Sequence, residues 1–478
     1  MTGRIELAST LAEPYSPQLR TALVLTGTGT AGAYHAGALR ALHEAGVKID
    51  IVAARGIGVI GALFTAIDGG SRVWDDKGFW HAPAVRSLYA WRRIPQLAAW
   101  ALAASLAIVV LPIAAVAAGL IVFPIDFVLK MVGVTRAGGL VGAYVGFAQS
   151  AFASEGLPTW LPRLVLLVLG VVAFLAAVST MRSESGRRVR GAFWWKMLRP
   201  PLEADNAALH CWRVMWDLVR GATQLKQPSP AELGRRYTEM LGDNLGQPGF
   251  RELLIAVHDL DAHRDLLFAL VAESRRRDLY RRSTTAAAEE RRAEIFDLSG
   301  VAREYLADAV AAALTVPVAT DAHVVHFAPD GYWRGETHRL CDRPASLTRL
   351  LEELTDLAVE QIVIVSAAPE LPGPHALAAP RLDPRGHLGE YLQSAEACIV
   401  HDAVRAVTAR VPRVFTIRPV HNPLGPFDFG GGYDDRSDRR QPLPELMSRG
   451  YEDAYRQFVE PVVAASGERV GQVSQGAL

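Results

Sequence analysis

Two glycine-rich turns contain the residues best placed to do chemistry. The first, Thr26-Gly27-Thr28-Gly29-Thr30-Ala31-Gly32, lies between an apolar strand pattern and a helical one, and Ala54-Arg55-Gly56-Ile57-Gly58-Val59-Ile60-Gly61 repeats that arrangement. Glycine permits a sharp backbone turn, and the helix that follows begins with N–H groups that can bind an anion. Each turn is therefore a candidate binding site for an anionic group.

Both turns also contain the spacing G-x-G-x-x-G of dinucleotide-binding folds. Such a fold needs an acidic residue at the end of the second strand, about 20 residues on, to bind the ribose. Asp50 lies at the start of the strand predicted over 49–54 rather than at its end. A nucleotide-binding, Rossmann-like enzyme is therefore kept only as an alternative.

The elements that must position these turns alternate between short apolar strands and helical patterns. Helices are predicted over 37–45 and 62–68, directly after the two turns. The predicted strands cover residues 22–25, 49–54, 253–257, 324–327, 362–365 and 414–417. This alternation is typical of an α/β domain with a mainly parallel sheet.

A long apolar region interrupts the alternation. Residues 94–125 and 164–181 contain no charged side chain. A helix of about 18 residues spans roughly 27 Å, which is close to the hydrocarbon thickness of a bilayer. We therefore predict an inserted helical transmembrane hairpin with spans at about 95–125 and 162–182. A pair of buried core helices is the alternative.

Two features of this region bear on the number of spans and their orientation. Pro95, Pro112 and Pro124 are expected to trim or kink the first span. The Gly-rich run 137–154 is less apolar and leaves the number of spans at two or three. Arginines precede the first run and follow the second, and positive-inside bias then predicts an integral membrane protein whose soluble domain faces the cytoplasm.

Overall composition excludes other classes. Lys plus Arg and Asp plus Glu both number 50, so the chain lacks the basic excess of a nucleic-acid-binding protein. The cysteines, Cys211, Cys341 and Cys398, have no metal-ligand spacing and indicate a reducing compartment. The first 20 residues are polar, which predicts no secretory signal peptide. The sequence leaves the oligomeric state open.

The stretch from Leu23 to Leu42, LVLTGTGTAGAYHAGALRAL, resembles the opening of patatin-like phospholipases. That family has a loop G-G-G-x-R-G that forms the oxyanion hole, followed by a strand and a nucleophile elbow G-x-S-x-G. The resemblance assigns Gly27, Thr28, Gly29 and Gly32 to the oxyanion loop. It implies a three-layer α/β sandwich and a lipid acyl hydrolase, with membrane lipid as partner and with no metal or organic cofactor.

Further downstream, three segments fit the same family in order and spacing. Asp330-Gly331 resembles the D-G-[GA] motif that supplies the catalytic aspartate, and Asp342-Arg343-Pro344 resembles the N-x-P that follows it. The strand 361–366 fits the next strand of the family. By this resemblance Asp330 is the catalytic aspartate, although a lone Asp-Gly is also a common turn.

The serine nucleophile of the family is missing. The elbow positions read Ala54-Arg55-Gly56-Ile57-Gly58, which puts Gly56 in the nucleophile slot between Arg55 and Gly58. No Ser or Cys occurs between Pro17 and Gly70, so no shift of register restores one. The family's arginine and second glycine fall at Ala31 and Thr28. The Ser–Asp reaction is therefore expected to be impaired or absent.

Other polar clusters suggest no metal site. The stretch from His258 to His263 offers two histidines and two aspartates, but it is read as a solvated turn. Residues 422–440 are read as a structured loop, since the ligand spacing of a calcium loop is absent.

The chain is expected to divide into five parts. A polar segment, 1–20, precedes the first part of the patatin-like domain, 21–75. The membrane insertion, 76–200, separates it from the second part, 201–420, and an extension covers 421–478. Two functions follow: a membrane-associated lipid acyl hydrolase with an altered nucleophile, or a non-catalytic protein that binds lipid or a partner at the membrane.

Overall fold

A computed structural model of the chain divides into two compact units, one formed by residues 1–90 and 202–478 and the other by residues 91–201. The structure describes residues 14–133, 138–151, 153, 162–171, 173–174, 200–221, 226–280, 294–331, 333–368, 384–420, 427–429, 432–434 and 439–463.

The first unit is built on a nine-stranded mixed sheet, with the order β11-β10-β1-β2-β5-β6-β7 and with β9 pairing to β5 and β8. The strands of the described residues are β1 Thr21–Thr26, β2 Ile51–Ala54, β3 Ala90–Trp91, β4 Leu202–Glu203, β5 Glu252–Asp259, β6 Arg264–Leu270, β7 Ile295–Asp297, β8 His323–His326, β9 Thr337–Cys341, β10 Gln361–Ser366, β11 Arg413–Ile417, β12 Gly432–Asp434 and β13 Arg439–Gln441.

The centre of this sheet is parallel. Leu23 of β1 lies opposite Val363 of β10 and Val52 of β2, and β2 pairs in the same direction with β5. Every residue of β1, β2 and β10 is buried, as expected where helices cover both faces of a parallel sheet. The predicted α/β fold with a mostly parallel sheet is confirmed, while the antiparallel strands β6 and β9 were not anticipated.

Two hydrophobic clusters lie on the two faces of the sheet. Leu23 and Leu25 belong to one cluster, whereas Ala22 and Val24 belong to the other, because successive side chains of a strand point to opposite faces. The helices of this unit are α1 Ala31–Glu44, α2 Gly58–Ala66, Ser71–Trp74, Asp205–Val219, Pro230–Asn244, Glu273–Tyr280, Leu306–Ala313, Ser346–Asp356, Pro384–Thr408 and Leu443–Ala454, with a π-helix at Tyr455–Val463 and 3-10 turns at Phe79–His81, Pro83–Ser87 and Val301–Tyr305.

The C-terminal helix Leu443–Ala454 packs directly on α1. A Cβ atom on Gly37 would lie 1.8 Å from the carbonyl oxygen of Met447, and one on Gly450 would lie 2.1 Å from that of Tyr34. The absence of side chains at these two positions lets the helix backbones touch. The hydroxyl of Tyr34 also donates to Asp453 at 3.1 Å, so the C-terminal region is part of the core that holds α1 in place.

The second unit contains a helix of 39 residues, Arg93–Met131. At about 1.5 Å per residue it is roughly 58 Å long, about twice the thickness of a bilayer core. Pro112 and Pro124 do not end it, contrary to the expected trimming. Among the residues that the structure describes in full, the stretch Ile113–Met131 is long and apolar enough to cross a membrane, and 11% of it is buried; it overlaps the predicted span 95–125.

A second helix, Gly138–Ala151, packs against the long one. The hydroxyl of Tyr144 donates to the carbonyl oxygen of Ala115 at 2.7 Å, and its ring lies 5.8 Å from that of Phe123. The run 137–154 therefore contains a helix. Of the second predicted span, the structure describes the apolar helix Pro162–Val171 and residues 173–174. The remainder of that prediction lies outside the described residues.

Candidate functional site at the glycine turns

The second glycine turn forms a tight strand-to-helix corner. β2 ends at Ala54 and α2 begins at Gly58, and the intervening Gly56 has a φ of +57°. A left-handed residue at such a corner is the geometry in which α/β hydrolases hold their nucleophile, and glycine adopts it without steric cost. The sequence-based assignment of Gly56 therefore falls on a corner of the expected shape, with Arg55 and Gly58 on either side.

The first glycine turn fills the space in front of Gly56. A Cβ atom added to Gly56 would lie 2.2 Å from the carbonyl oxygen of Gly27. The backbone N–H of Ile57 donates to that same oxygen at 3.0 Å. In α/β hydrolases the N–H that follows the nucleophile helps to bind the oxyanion. Here that N–H already has a protein acceptor.

The other predicted loop residues have identifiable positions. Thr28 lines a cleft beside the loop, and Gly29 has a φ of +58° just before α1. A Cβ on Gly32 would lie 2.1 Å from the ring of Trp80, and one on Gly58 would lie 2.4 Å from the carbonyl oxygen of Leu25. The glycines at 32 and 58 therefore allow α1 and α2 to pack closely against their neighbours.

The aspartate next to Gly56 is Asp342. Its Oδ2 atom lies 3.0 Å from the position of a Cβ on Gly56, and its side chain is 1% exposed. The strand register explains this placement, because β9 runs antiparallel to β5 and ends at Cys341, opposite His258. Asp342 therefore lies near the C-terminal end of the parallel strands, level with the corner.

Asp330 is not brought to the corner, which corrects the sequence-based placement. It is exposed in the turn that closes the β8–β9 hairpin, where Phe327 N–H donates to Glu336. Thr337, the first residue of β9, is five residues before Asp342. At about 3.3 Å per residue the hairpin turn therefore lies roughly 16 Å from Asp342. The aspartate that lies beside Gly56 belongs to the N-x-P-like segment and not to the D-G segment.

Arg55 joins Asp342 to a carboxylate that the sequence did not indicate. Its Nε lies 3.3 Å from Asp342 Oδ1, and its two terminal nitrogens donate to Glu396 Oε2 at 2.8 and 2.7 Å. Glu396 lies on helix Pro384–Thr408 and also accepts from the hydroxyl of Thr26 at 2.8 Å. Arg55 is fully buried, and Glu396 is 6% exposed. Glu396 lies in an ordinary helical pattern, so no sequence signal could have found it.

Burial sets the protonation of two groups near the corner. Desolvation raises the pKa of Asp342 to about 7, against the lowering effect of Arg55, while Glu396 raises it further. Desolvation also lowers the pKa of His35 to about 4, and its Nε2 lies 3.0 Å from the carbonyl oxygen of Thr26. At neutral pH His35 is therefore neutral, and Asp342 holds its proton far more readily than an ordinary aspartate.

A cleft lies next to the first glycine turn. It is open to solvent, has a cavity volume of about 40 Å³, and is lined by Gly27, Thr28, Thr30, Ala31, Ala367, Ala368, Leu392, Gln393, Glu396 and Leu446. Its walls are mainly apolar, and the polar side chains among them are those of Thr28, Thr30, Gln393 and Glu396. This arrangement can hold a small apolar group.

The remaining polar candidates are engaged elsewhere. Asp50 accepts from the backbone N–H of Thr21 at 2.9 Å, and β2 ends next to the paired Arg55, so no acidic residue ends that strand for a ribose. His258 pairs with Asp265 at 2.8 Å, and Asp259 lies 2.6 Å from His338. Within the described ranges, no group of three His, Cys, Asp or Glu side chains could hold a metal ion.

A mostly parallel sheet with a left-handed glycine at the strand-to-helix corner after β2 defines an α/β fold whose corner has the shape of a nucleophile elbow. Residues 23–119 match the family model of patatin-like phospholipases. The chain thus carries a patatin-like phospholipase domain, and the family predicted from its sequence is confirmed.

Two further comparisons complete this result. The crystal structure of VipD from Legionella pneumophila is similar with a TM-score of 0.32 and 12% identity, covering 97% of this chain and 72% of that chain. That likeness is too distant to inform function. No curated protein matches the sequence.

Proposed function

We propose that this chain is a membrane-associated patatin-like protein that binds lipid or a partner and does not hydrolyse esters by Ser–Asp chemistry. One observation carries the proposal: the carbonyl oxygen of Gly27 occupies the space in which a nucleophile side chain at position 56 would begin. The family match supports a lipid-related role, and the filled space in front of Gly56 supports a non-catalytic one.

Three requirements of acyl transfer bear on this proposal. A nucleophile must attack, a base must take its proton, and preorganised N–H groups must stabilise the oxyanion. Gly56 offers no nucleophile, the N–H of Ile57 donates to Gly27, and the Oδ1 atom of Asp342 faces Arg55. The nucleophile is therefore missing and the N–H that follows it already has an acceptor, while the carboxylate is held by Arg55 through Oδ1 and turns its Oδ2 toward Gly56.

The long helix of the second unit supports the membrane part of the proposal. Leu120, Phe127 and Met131 are 75, 65 and 76% exposed, and Ile113–Met131 has a mean hydropathy of 2.1. Soluble proteins rarely expose a continuous apolar surface of this kind. A helix satisfies its own backbone hydrogen bonds, as lipid requires.

An active lipid acyl hydrolase with a different nucleophile is the second candidate. The cleft beside the first glycine turn favours it, because Thr28 and Thr30 line that cleft together with Glu396. In such an enzyme a threonine hydroxyl of the cleft would be the group that attacks the ester.

Activity-based labelling separates the two candidates. The wild-type protein should not react with a fluorophosphonate probe and should hydrolyse phospholipid no faster than buffer. Gly56→Ser should remain unlabelled, because the new side chain would meet the Gly27 carbonyl at 2.2 Å. Turnover of phospholipid by the wild type, lost in Thr28→Val or Thr30→Val, would refute the non-catalytic role and support the second candidate.

Membrane association is tested by extraction. The full-length protein should stay in the membrane fraction after treatment with alkaline carbonate or high salt and should be released only by detergent. A monodisperse full-length chain in the soluble fraction without detergent would overturn this part of the proposal.

A further inference from the structure

A second cleft lies at the opposite end of the sheet from Gly56. Ile49 comes just before β2 and Arg251 just before β5, whereas Gly56 follows the last residue of β2. The cleft has a cavity volume of about 30 Å³ and is lined by Leu39, His43, Val47, Ile49, Thr65, Asp68, Gly70, Trp74 and Arg251. A water molecule needs about 10–15 Å³ of such volume, so this space accepts one small polar group.

The wall of this cleft holds a hydroxyl that the chain leaves unpaired. Thr65 is buried, and its Oγ1 atom has no hydrogen-bond partner among the described residues. A Cβ atom on Gly70, which also lines the cleft, would lie 3.8 Å from that oxygen, so the hydroxyl faces the open space. Buried polar groups in folded proteins are nearly always paired, and a group bound in the cleft would pair this one.

The charged residues of the cleft indicate which sign of charge it favours. The terminal nitrogens of Arg251 donate to the carbonyl oxygen of Thr65 and, at 3.1 Å, to Asp68 Oδ1. The side chain of Asp68 is 54% exposed, and within the described part of the chain its Oδ2 atom has no hydrogen-bond donor. The guanidinium therefore already has acceptors, whereas a carboxylate oxygen and a hydroxyl remain free to accept. Because one guanidinium bridges Thr65 and Asp68, both residues are within reach of one small ligand.

Two further features of the cleft favour a cation. His43 in the last turn of α1 and Thr65 in the last turn of α2 both line it, so two helix C-termini lie beside the space. A helix C-terminus carries a partial negative charge. The ring of Trp74, 5.7 Å from that of His43, forms another part of the wall, and aromatic faces attract cations.

We infer that this cleft binds a primary ammonium group, which donates to Asp68 Oδ2 and Thr65 Oγ1 beside the ring of Trp74. The small volume selects a primary ammonium, because the methyl groups of a quaternary ammonium would not fit. Free amines and the ethanolamine headgroup of lipids both carry this group. The site lies entirely within the unit built on the sheet and does not depend on the proposed function.

Saturation-transfer NMR tests the site on the full-length chain in detergent micelles. Ethanolamine is the probe and should bind, whereas choline, its quaternary counterpart, should not. Asp68→Asn should weaken the binding of ethanolamine about tenfold or more, because a hydrogen bond between two charged groups is lost. Asparagine tolerates the left-handed φ of +56° at this position, as aspartate does. Asp330→Asn, which changes an exposed aspartate of the β8–β9 hairpin, is the matched control and should bind ethanolamine like the wild type.

A second variant narrows the cleft without changing its charge. Gly70 has helical backbone angles, so alanine fits the backbone, and its Cβ atom would lie 3.0 Å from the ring of Trp74. Gly70→Ala should therefore reduce the binding of ethanolamine. This variant keeps the site testable if Asp68→Asn folds poorly, and melting curves of both variants report on folding.

Glycerophosphoethanolamine distinguishes the two sources of the ammonium group. Tighter binding of this compound than of ethanolamine would assign a lipid headgroup to the site, and equal or weaker binding would assign a free amine. The site is wrong if the wild type does not bind ethanolamine, if it binds choline equally well, or if acetate binds there instead. Ethanolamine binding that is unchanged in both Asp68→Asn and Gly70→Ala would also refute it.

Discussion

Two aspartates, twelve positions apart, end up in opposite environments. Asp342 is 1% exposed, faces the corner at Gly56 and pairs with Arg55, whereas Asp330 is exposed in a hairpin turn. The difference lies in the strand between them, because β9 carries the chain from the far end of the hairpin back to the C-terminal end of the parallel strands. A motif identified by its order along the chain can therefore mark the right hairpin and the wrong residue.

Removing the cation of the buried network should produce the largest effect. Arg55→Met leaves Asp342 and Glu396 close together in the protein interior without their shared partner. Breaking a buried ion pair by removing one partner costs about 3–5 kcal/mol. Chemical denaturation of the purified protein should show a loss of that size in the free energy of unfolding.

An exposed pair provides the matched control for this loss. Arg40 and Glu44 form an i,i+4 pair at 2.8 Å, with side chains 54 and 44% exposed. Arg40→Met should cost only about 0.3–0.5 kcal/mol, because solvent screens such pairs. Equal losses for the two variants would mean that the Arg55 network is not buried as described.

The raised pKa of Asp342 predicts a particular pH dependence. Its pKa is about 7 in the folded protein and near the ordinary 3.8 in the unfolded chain. The folded state therefore binds a proton that the unfolded state releases, and stability is lost as the pH rises from about 4 to about 7. The loss should be on the order of 1–4 kcal/mol, since each pKa unit corresponds to about 1.4 kcal/mol.

Asp342→Asn isolates this effect. The amide does not titrate, so the stability of the variant relative to the wild type should improve steadily between about pH 4 and pH 7. The other titrating groups are common to both proteins and cancel in the difference. A difference that stays flat with pH would show that Asp342 remains ionised, held by Arg55.

Much of the fold was predictable because the central strands are short, continuous apolar runs. β1, β2, β5, β10 and β11 all overlap predicted strands. The sequence does not predict β6, because the polar stretch His258 to His263 is typical of a solvated turn although His258 and Asp259 belong to β5. The connection between β5 and β6 is only four residues long. The sequence of the two strands therefore resembles a single apolar region with a short polar interruption.

Only part of the candidate site could be predicted from the sequence. The vacant slot at Gly56 follows from the sequence, since no serine is available nearby. The contact between Arg55 and Glu396 joins residues 341 positions apart, and no local pattern specifies it. The hydrogen bond from Ile57 to Gly27 likewise depends on the parallel pairing of β1 with β2, which brings the two glycine turns together.

Replacing the exposed aspartate should produce the smallest effect. Asp330→Ala changes a solvent-exposed turn position, and substitutions of this kind usually alter stability by no more than about 0.5 kcal/mol. Asp342→Ala, in contrast, leaves the buried Nε of Arg55 without its acceptor and empties the space beside Gly56, so it should be clearly destabilising. Paired denaturation curves of the two variants measure this contrast, and binding to phospholipid vesicles should be unchanged in Asp330→Ala. A hydrolytic activity that disappears in Asp330→Ala while Asp342→Ala retains it would reverse the assignment, because it would place the working carboxylate in the hairpin turn.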